Sequence, residues 1–154
     1  MIESKNFYWI NPKTEVKESN IEGKGRYATD LIEKDEIVVI AGGMVLRKKD
    51  EGVVGVNITD DYVIGLRPKI DEYQVFKNHS CDPNIYIDGS VIFKALRDIQ
   101  PDEWILSDYS TFVDSPIIIN KCNCGSKNCR TIIKNTDINL HNLPLSDHMK
   151  RKYK

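Results

Sequence analysis

The stretch Asn78-His79-Ser80-Cys81-Asp82-Pro83-Asn84 decides how this chain reads. It brings together amide, imidazole, hydroxyl, thiol and carboxylate groups. Pro83 fixes φ and suits a tight bend rather than a helix. The stretch also holds one of only four cysteines in the chain. The other three, Cys122, Cys124 and Cys129, stand close together far downstream. A thiol in a turn and a remote cluster of three imply that two distant parts of the chain meet.

Two disulfides would use all four cysteines, but Cys122 and Cys124 are one residue apart and would close a strained ring. The chain also opens without the basic and then apolar pattern of a secretory leader, so reduced thiols are expected. Metal binding is the better reading, since zinc favours four tetrahedral thiolate or imidazole ligands at a structural site. Cys81 completes the count begun by Cys122, Cys124 and Cys129. Buried free thiols are the competing reading, weakened by three cysteines so close together beside Gly125 and Ser126.

The rest of the composition bounds the class. The chain has 154 residues, 40 % of them hydrophobic, and a formal net charge of -1. That fits one core. It gives no electrostatic case for direct nucleic-acid binding. No apolar run approaches the roughly 20 residues of a membrane helix. A cytoplasmic or nuclear location is expected. The basic end, Lys150-Arg151-Lys152-Tyr153-Lys154, reads as a solvated tail.

Short β-branched runs separated by turns argue a mainly β domain. Strands are expected at Ile37–Ile40, Met44–Leu46, Val53–Ile58, Tyr62–Leu66 and Glu103–Leu106. Asp88-Gly89 predicts a hairpin between Ile85–Ile87 and Val91–Leu96. A short helix is expected over Asp71–Phe76, and Ile117-Ile118-Ile119 is a last apolar run. From about Asn135 the chain turns polar, so the body is expected to end near Ile133. The divisions are an arm over 1–15, the main domain over 16–115, a cysteine-bearing segment over 116–133 and a polar, basic tail over 134–154.

Taken in order, five motifs resemble the SET-domain protein lysine methyltransferases. Gly23-Lys24-Gly25-Arg26 resembles the family's opening Gly-x-Gly segment. Ile40-Ala41-Gly42-Gly43 is similar to its Tyr-x-Gly strand end. Asn78 to Asn84 matches its most specific signature at every position. Ala95 to Tyr109 follows its strand, acidic turn and closing Asp-Tyr pair. Cys122-x-Cys124-x4-Cys129 resembles the zinc-binding tail called post-SET.

The resemblance implies a β-clip fold with a threaded pseudoknot and a small post-SET zinc site. It implies S-adenosylmethionine as methyl donor, one structural zinc ion, and as partner a protein substrate presenting a lysine, a histone being one candidate. By the same match Tyr109 is the catalytic residue. Lys24, Gly25, Arg26, Asn78, His79, Tyr109 and Ile132 hold the cofactor. Ser107, Tyr62 and Ile40 line the lysine channel. Cys81, Cys122, Cys124 and Cys129 hold the metal.

Methyl transfer needs a neutral amine, whereas free lysine has a pKa near 10.4. A dry channel disfavours the ammonium form and aligns the reacting atoms. Two positions depart from the family pattern. Ile40 stands where a tyrosine is usual, which leaves an aromatic wall to be supplied by another residue such as Tyr62. Ser107 stands where a large aromatic is usual; its small side chain leans the product toward di- or trimethyllysine, the alternative being a water held by its hydroxyl that limits methylation. These departures keep open a catalytically silent SET-fold module that binds peptide or cofactor. A small zinc-binding interaction protein would explain the cysteines but not Asn78 to Asn84.

Overall fold

The computed structural model describes residues 8–67, 77–138 and 142–153. The helix expected over Asp71–Phe76 lies outside the described residues. Strands dominate. β1 (Trp9–Ile10), β2 (Thr14–Glu18), β3 (Lys24–Ala28) and β4 (Ile37–Ile40) come first, then β5 (Met44–Arg47), β6 (Val54–Asn57) and β7 (Tyr62–Leu66). After the undescribed gap come β8 (Asn78–His79), β9 (Ile85–Asp88), β10 (Ile92–Ala95) and β11 (Leu106–Ser107), and one helix, α1 (Asp147–Lys152), closes the chain.

The core lies on a four-stranded sheet in the order β1-β4-β10-β9. β4 is β-branched throughout and buries Val38 and Val39 completely, as suits a strand covered on both sides. β9 and β10 alternate: Ile85, Ile87, Phe93 and Ala95 face inward, while Asp88 is exposed. Their hairpin turns at Gly89, whose φ of 75° is the left-handed conformation that glycine adopts without a Cβ clash. Around this sheet stand a β2–β3 ribbon and a three-stranded sheet in the order β5-β7-β6. In the latter, Gly65 lies against Val54 and Gly55 so closely that a Cβ would fall 2.0 Å from the Val54 carbonyl oxygen. Only glycine permits that approach.

The last strand pairs β8 with β11 in parallel, Asn78 opposite Leu106 and His79 opposite Ser107. The strand expected over Glu103–Leu106 is therefore displaced. Residues 103–105 instead bond to β3, with Ala28 N donating to Glu103 O and Ile105 N to Arg26 O. The Ile117–Ile119 run folds back on Ile133 through a bridge at Ile119, and Cys122, Cys124 and Cys129 occupy the loop between.

The C-terminal segment corrects the sequence reading. The tail expected to be solvated is packed, with Ser146 and Met149 fully buried and His148 nearly so. Ser146 accepts from Met149 N and caps α1. What holds α1 is polar. Asp114, itself buried, accepts from His148 Nε2 (3.0 Å), Lys152 Nζ (2.8 Å), Tyr153 Oη (2.7 Å) and Asn135 Nδ2 (3.1 Å). Hydropathy cannot anticipate such a dock, because its anchor is a satisfied carboxylate. Among the described residues, no helix is long and apolar enough to cross a membrane.

Candidate active site

The bend at Asn78–Asn84 is locked by its neighbour strand. Ser80 N donates to Ser107 O and Asn84 N to Leu106 O. The Asn84 amide closes both sides of the crossing, donating to Trp104 O (2.7 Å) and accepting from Leu106 N (2.9 Å). Directly after β11, Asp108 caps a single turn over Tyr109–Thr111 by accepting from Ser110 N. The two segments thus deliver Asn78, His79 and Tyr109 to one place.

Tyr109 is held at three points. Its hydroxyl donates to Lys77 O (2.8 Å), and its backbone N–H donates to His79 Nδ1 (3.2 Å). Its ring meets His79 and Phe112 edge-on, at 5.3 and 5.7 Å between centroids. Because Nδ1 accepts, the imidazole proton is assigned to Nε2, which lies 3.4 Å from Cys81 Sγ. One histidine therefore links a cysteine of the cluster to the tyrosine.

The four sulfur atoms of Cys81, Cys122, Cys124 and Cys129 lie within 4.8 Å of one another, and none is in a disulfide. That donor set fits a tetrahedral thiolate site. Burial raises the Cys81 and Cys122 thiols above their ordinary value. Burial also opposes ionisation of Cys124, yet hydrogen bonds from Cys81, Ser126 and Cys122 outweigh it and bring that thiol to about 6. Arg130 binds the cluster to the tyrosine turn. Its backbone N and Nε both donate to Cys81 Sγ at 3.4 Å, and its guanidinium reaches the buried Asp108 at 2.8 Å and Ser110 at 3.3 Å. Sequence reading missed Arg130, although its place directly after the last cysteine was the available signal.

Two cavities adjoin Tyr109, and Asn78 and Tyr109 line both. The first is bounded by Tyr8, Ala41, Gly42, Val54–Val56, Ile64, Gly65, Lys77, Phe112 and Val113. The second is bounded by Ile21, Glu22, His79, Ile119, Lys121, Cys122 and Asn123. Several expected residues are elsewhere. Tyr62 is 42 % exposed and lines a separate surface cleft with Arg47 and Lys48. Ile40 pairs with Trp9 and Ile92 inside the main sheet. The aromatic walls of the first cavity come from Tyr8 and Phe112 instead, which only the tertiary fold brings together.

Ser107 is buried and lines neither cavity, and its Oγ has no hydrogen-bond partner among the described residues. Ile132 is 40 % exposed, and Ile119 takes the place on the second cavity's wall. Lys24 is exposed on β3, and the Arg26 guanidinium turns inward to donate to Thr14. Gly25 abuts Asn78: a Cβ there would lie 3.0 Å from Asn78 Nδ2 and 2.9 Å from the Trp104 ring. Asn78 Nδ2 itself donates to Ser19 Oγ (2.8 Å).

Comparison with known proteins agrees with this geometry. The SET domain family matches residues 23–110. The chain is 33 % identical over 132 residues to the histone-lysine N-methyltransferase trithorax of Drosophila virilis, covering 73 % of this chain and 3 % of that protein. It is 29 % identical over 136 residues to human histone-lysine N-methyltransferase 2B, covering 77 % of this chain and 5 % of the relative. This chain thus spans a small part of the length of these relatives. The crystal structure of KRYPTONITE in complex with mCHH DNA, an H3(1-15) peptide and SAH superposes with a TM-score of 0.61 at 22 % identity, over 80 % of this chain and 30 % of that one. The matching family, the shared mainly β fold and the intact Asn78–Asn84 signature agree: the chain belongs to the SET-domain family.

Proposed function

We propose that the protein transfers a methyl group from S-adenosylmethionine to the side-chain amine of a protein lysine. The observation that carries this reading is the pair of cavities that meet at Asn78 and Tyr109. A transfer between two substrates needs one place where both arrive with water excluded.

The second cavity suits the donor. The Asn78 amide, the Glu22 carboxylate and the Lys121 ammonium are partners for a ligand bearing amino, hydroxyl and carboxylate groups. When bound, S-adenosylmethionine supplies an electrophilic methyl on a sulfonium that departs as a neutral thioether. Gly25 leaves room for Asn78 beside it, and Ile119 supplies an apolar wall.

The first cavity suits the acceptor. Its glycine and aliphatic walls exclude water from an incoming lysine side chain, which lowers the amine's pKa. Tyr8, Phe112 and Tyr109 face the stem and amine with aromatic groups. The Tyr109 hydroxyl orients the nucleophile at the junction. Cys81, Cys122, Cys124 and Cys129 would hold a zinc ion, which would fasten residues 117–133 beside the donor cavity, and His79 and Arg130 connect the cluster to the Tyr109 turn. Ser107 is buried and lines neither cavity, so the lean toward di- or trimethylation rests on the resemblance alone.

Histones are the first substrates to try, since the relatives are named for them, and a nuclear or cytoplasmic location accords with that choice. The test is transfer of labelled methyl to core histones and to a protein lysate, with Tyr109→Phe as control. Label on protein that vanishes in the variant is expected. A wild-type protein that binds the donor and labels nothing would instead establish a silent binding module.

A further inference from the structure

Lys77, the residue directly before Asn78, is buried, with 8 % of its surface exposed. It lines the first cavity. Its ammonium lies 4.4 Å from the centre of the Phe93 ring and 5.2 Å from that of Phe112. Phe93 is fully buried core. Among the described wall residues no carboxylate faces this cavity, and Lys77 is the one side chain there that can carry a positive charge. The other titratable groups on the wall are Tyr8 and Tyr109. Behind Tyr109 stands His79, itself 3.8 Å from Asp108. Phe93 and Phe112 carry no titratable group.

A buried lysine with no carboxylate beside it among the described residues is costly, and strongly perturbed groups cluster at functional sites. Burial brings the Lys77 amine down to about 8. A second amine entering this dry cavity meets the first, and two ammonium groups in one low-dielectric space repel strongly.

We propose that Lys77 sets the protonation state of the acceptor amine, the cavity holding one proton between the two amines. This rests on the methyltransfer reading above. The incoming ammonium gives up its proton to the lone pair of Lys77 Nζ, or to solvent when Lys77 is already charged. The freed lone pair on the acceptor nitrogen then forms the bond to the methyl carbon. The carbon–sulfur bond breaks, and its electron pair stays on sulfur. The product nitrogen carries the positive charge that left the sulfonium. Lys77 is a positioning residue for a proton and forms no bond to the methyl group.

Two measurements on Lys77→Met test this. Methionine fills similar space without charge, so the variant retains the fold. The first measurement is the pH profile of kcat at saturating core histones and labelled methyl donor, which reports ionisations in the bound complex. Activity rises with pH as the acceptor amine loses its proton. Removing the neighbouring amine moves that rise to higher pH, toward the ordinary lysine value near 10.4. The expected result is a loss of about tenfold at neutral pH for each pH unit of displacement, recovered in alkali. A profile at the wild-type position overturns the proposal. Absence of transfer by the wild-type protein refutes the methyltransfer reading, and this proposal with it.

The second measurement needs no substrate. The folded value of Lys77 lies below the unfolded one. Its burial penalty is therefore full below about pH 8 and fades as pH rises toward 10.5. Lys77→Met should melt at higher temperature than wild type near neutral pH, with the gap narrowing through that window. A gap that stays constant with pH overturns the proposal.

Discussion

On one side of Tyr109 the wall is mostly glycine, alanine, valine, isoleucine and the rings of Tyr8 and Phe112, with a single lysine and the shared Asn78. On the other it is made of glutamate, lysine, asparagine, histidine and cysteine, with two isoleucines. The supports differ as well. The apolar side is backed by the main sheet and by α1 through Asp114. The polar side is backed by the cysteine cluster through His79 and Arg130. The contrast matches the two tasks that the proposed methyl transfer sets. An amine becomes a nucleophile by losing its water and its proton, which an apolar wall promotes. A large polar donor is recognised by partners for its hydrogen bonds, which an apolar wall cannot supply.

The sharpest way to break this asymmetry is to deny the cysteine cluster any metal. A strong chelator or Cys81→Ser should abolish methyl transfer and donor binding, measured by label transfer and by calorimetric titration with S-adenosylmethionine, because the polar wall then loses its anchor. Full activity in a metal-free sample would separate the two supports. Next comes the shared wall. Tyr109→Phe should lower the transfer rate by about a hundredfold or more, with donor binding little changed, since one oriented group at the reacting centre is commonly worth that much.

Arg130→Met tests the relay. It leaves Asp108 buried beside fewer partners, and breaking a buried pair costs about 3–5 kcal/mol, so chemical denaturation should show a large loss of stability. On the opposite side, Asp114→Asn should loosen α1. Burial would raise the Asp114 carboxyl, but His148, Lys152, Tyr153 and Asn135 outweigh it and hold its pKa well below the usual carboxylate range. Its stabilisation is present above the unfolded value near 3.8 and is lost as pH falls below it. The acid melting profile of Asp114→Asn should lack that component, while donor binding persists.

The smallest effect is expected at Thr131. It sits in the cysteine-bearing lobe at φ 64°, where a β-branched residue is strained. Thr131→Gly should raise stability by about 1 kcal/mol, read from the denaturation midpoint, after the unfolded-state entropy of glycine is set against about 1–3 kcal/mol of relieved strain.

Local chemistry made much of this molecule readable in advance. Val38 and Val39 announce a buried strand, Asp88-Gly89 a hairpin, and the four cysteines one cluster. The Asn78–Asn84 motif and the Asp108-Tyr109 pair mark two segments that the fold brings together. Other parts were hidden for a physical reason. Tyr8 and Phe112 become cavity walls only through packing across sheets. Tyr62 has the right chemistry for a channel wall but sits on another face. α1 docks through a buried carboxylate, which hydropathy reads as solvent-facing. Lys77 and Arg130 look like ordinary surface cations until burial gives them a role.

The parallel pairing of β8 with β11 bears on the order in which the molecule assembles. Neighbouring hairpins such as β9–β10 form from residues close in sequence, but Asn78 and Leu106 must find each other across that whole hairpin. Pairings of this kind close slowly, because the chain loses loop entropy before the contact repays it. The junction at Tyr109 is therefore expected among the later contacts to form. In refolding, strand content followed by circular dichroism should recover before donor binding does.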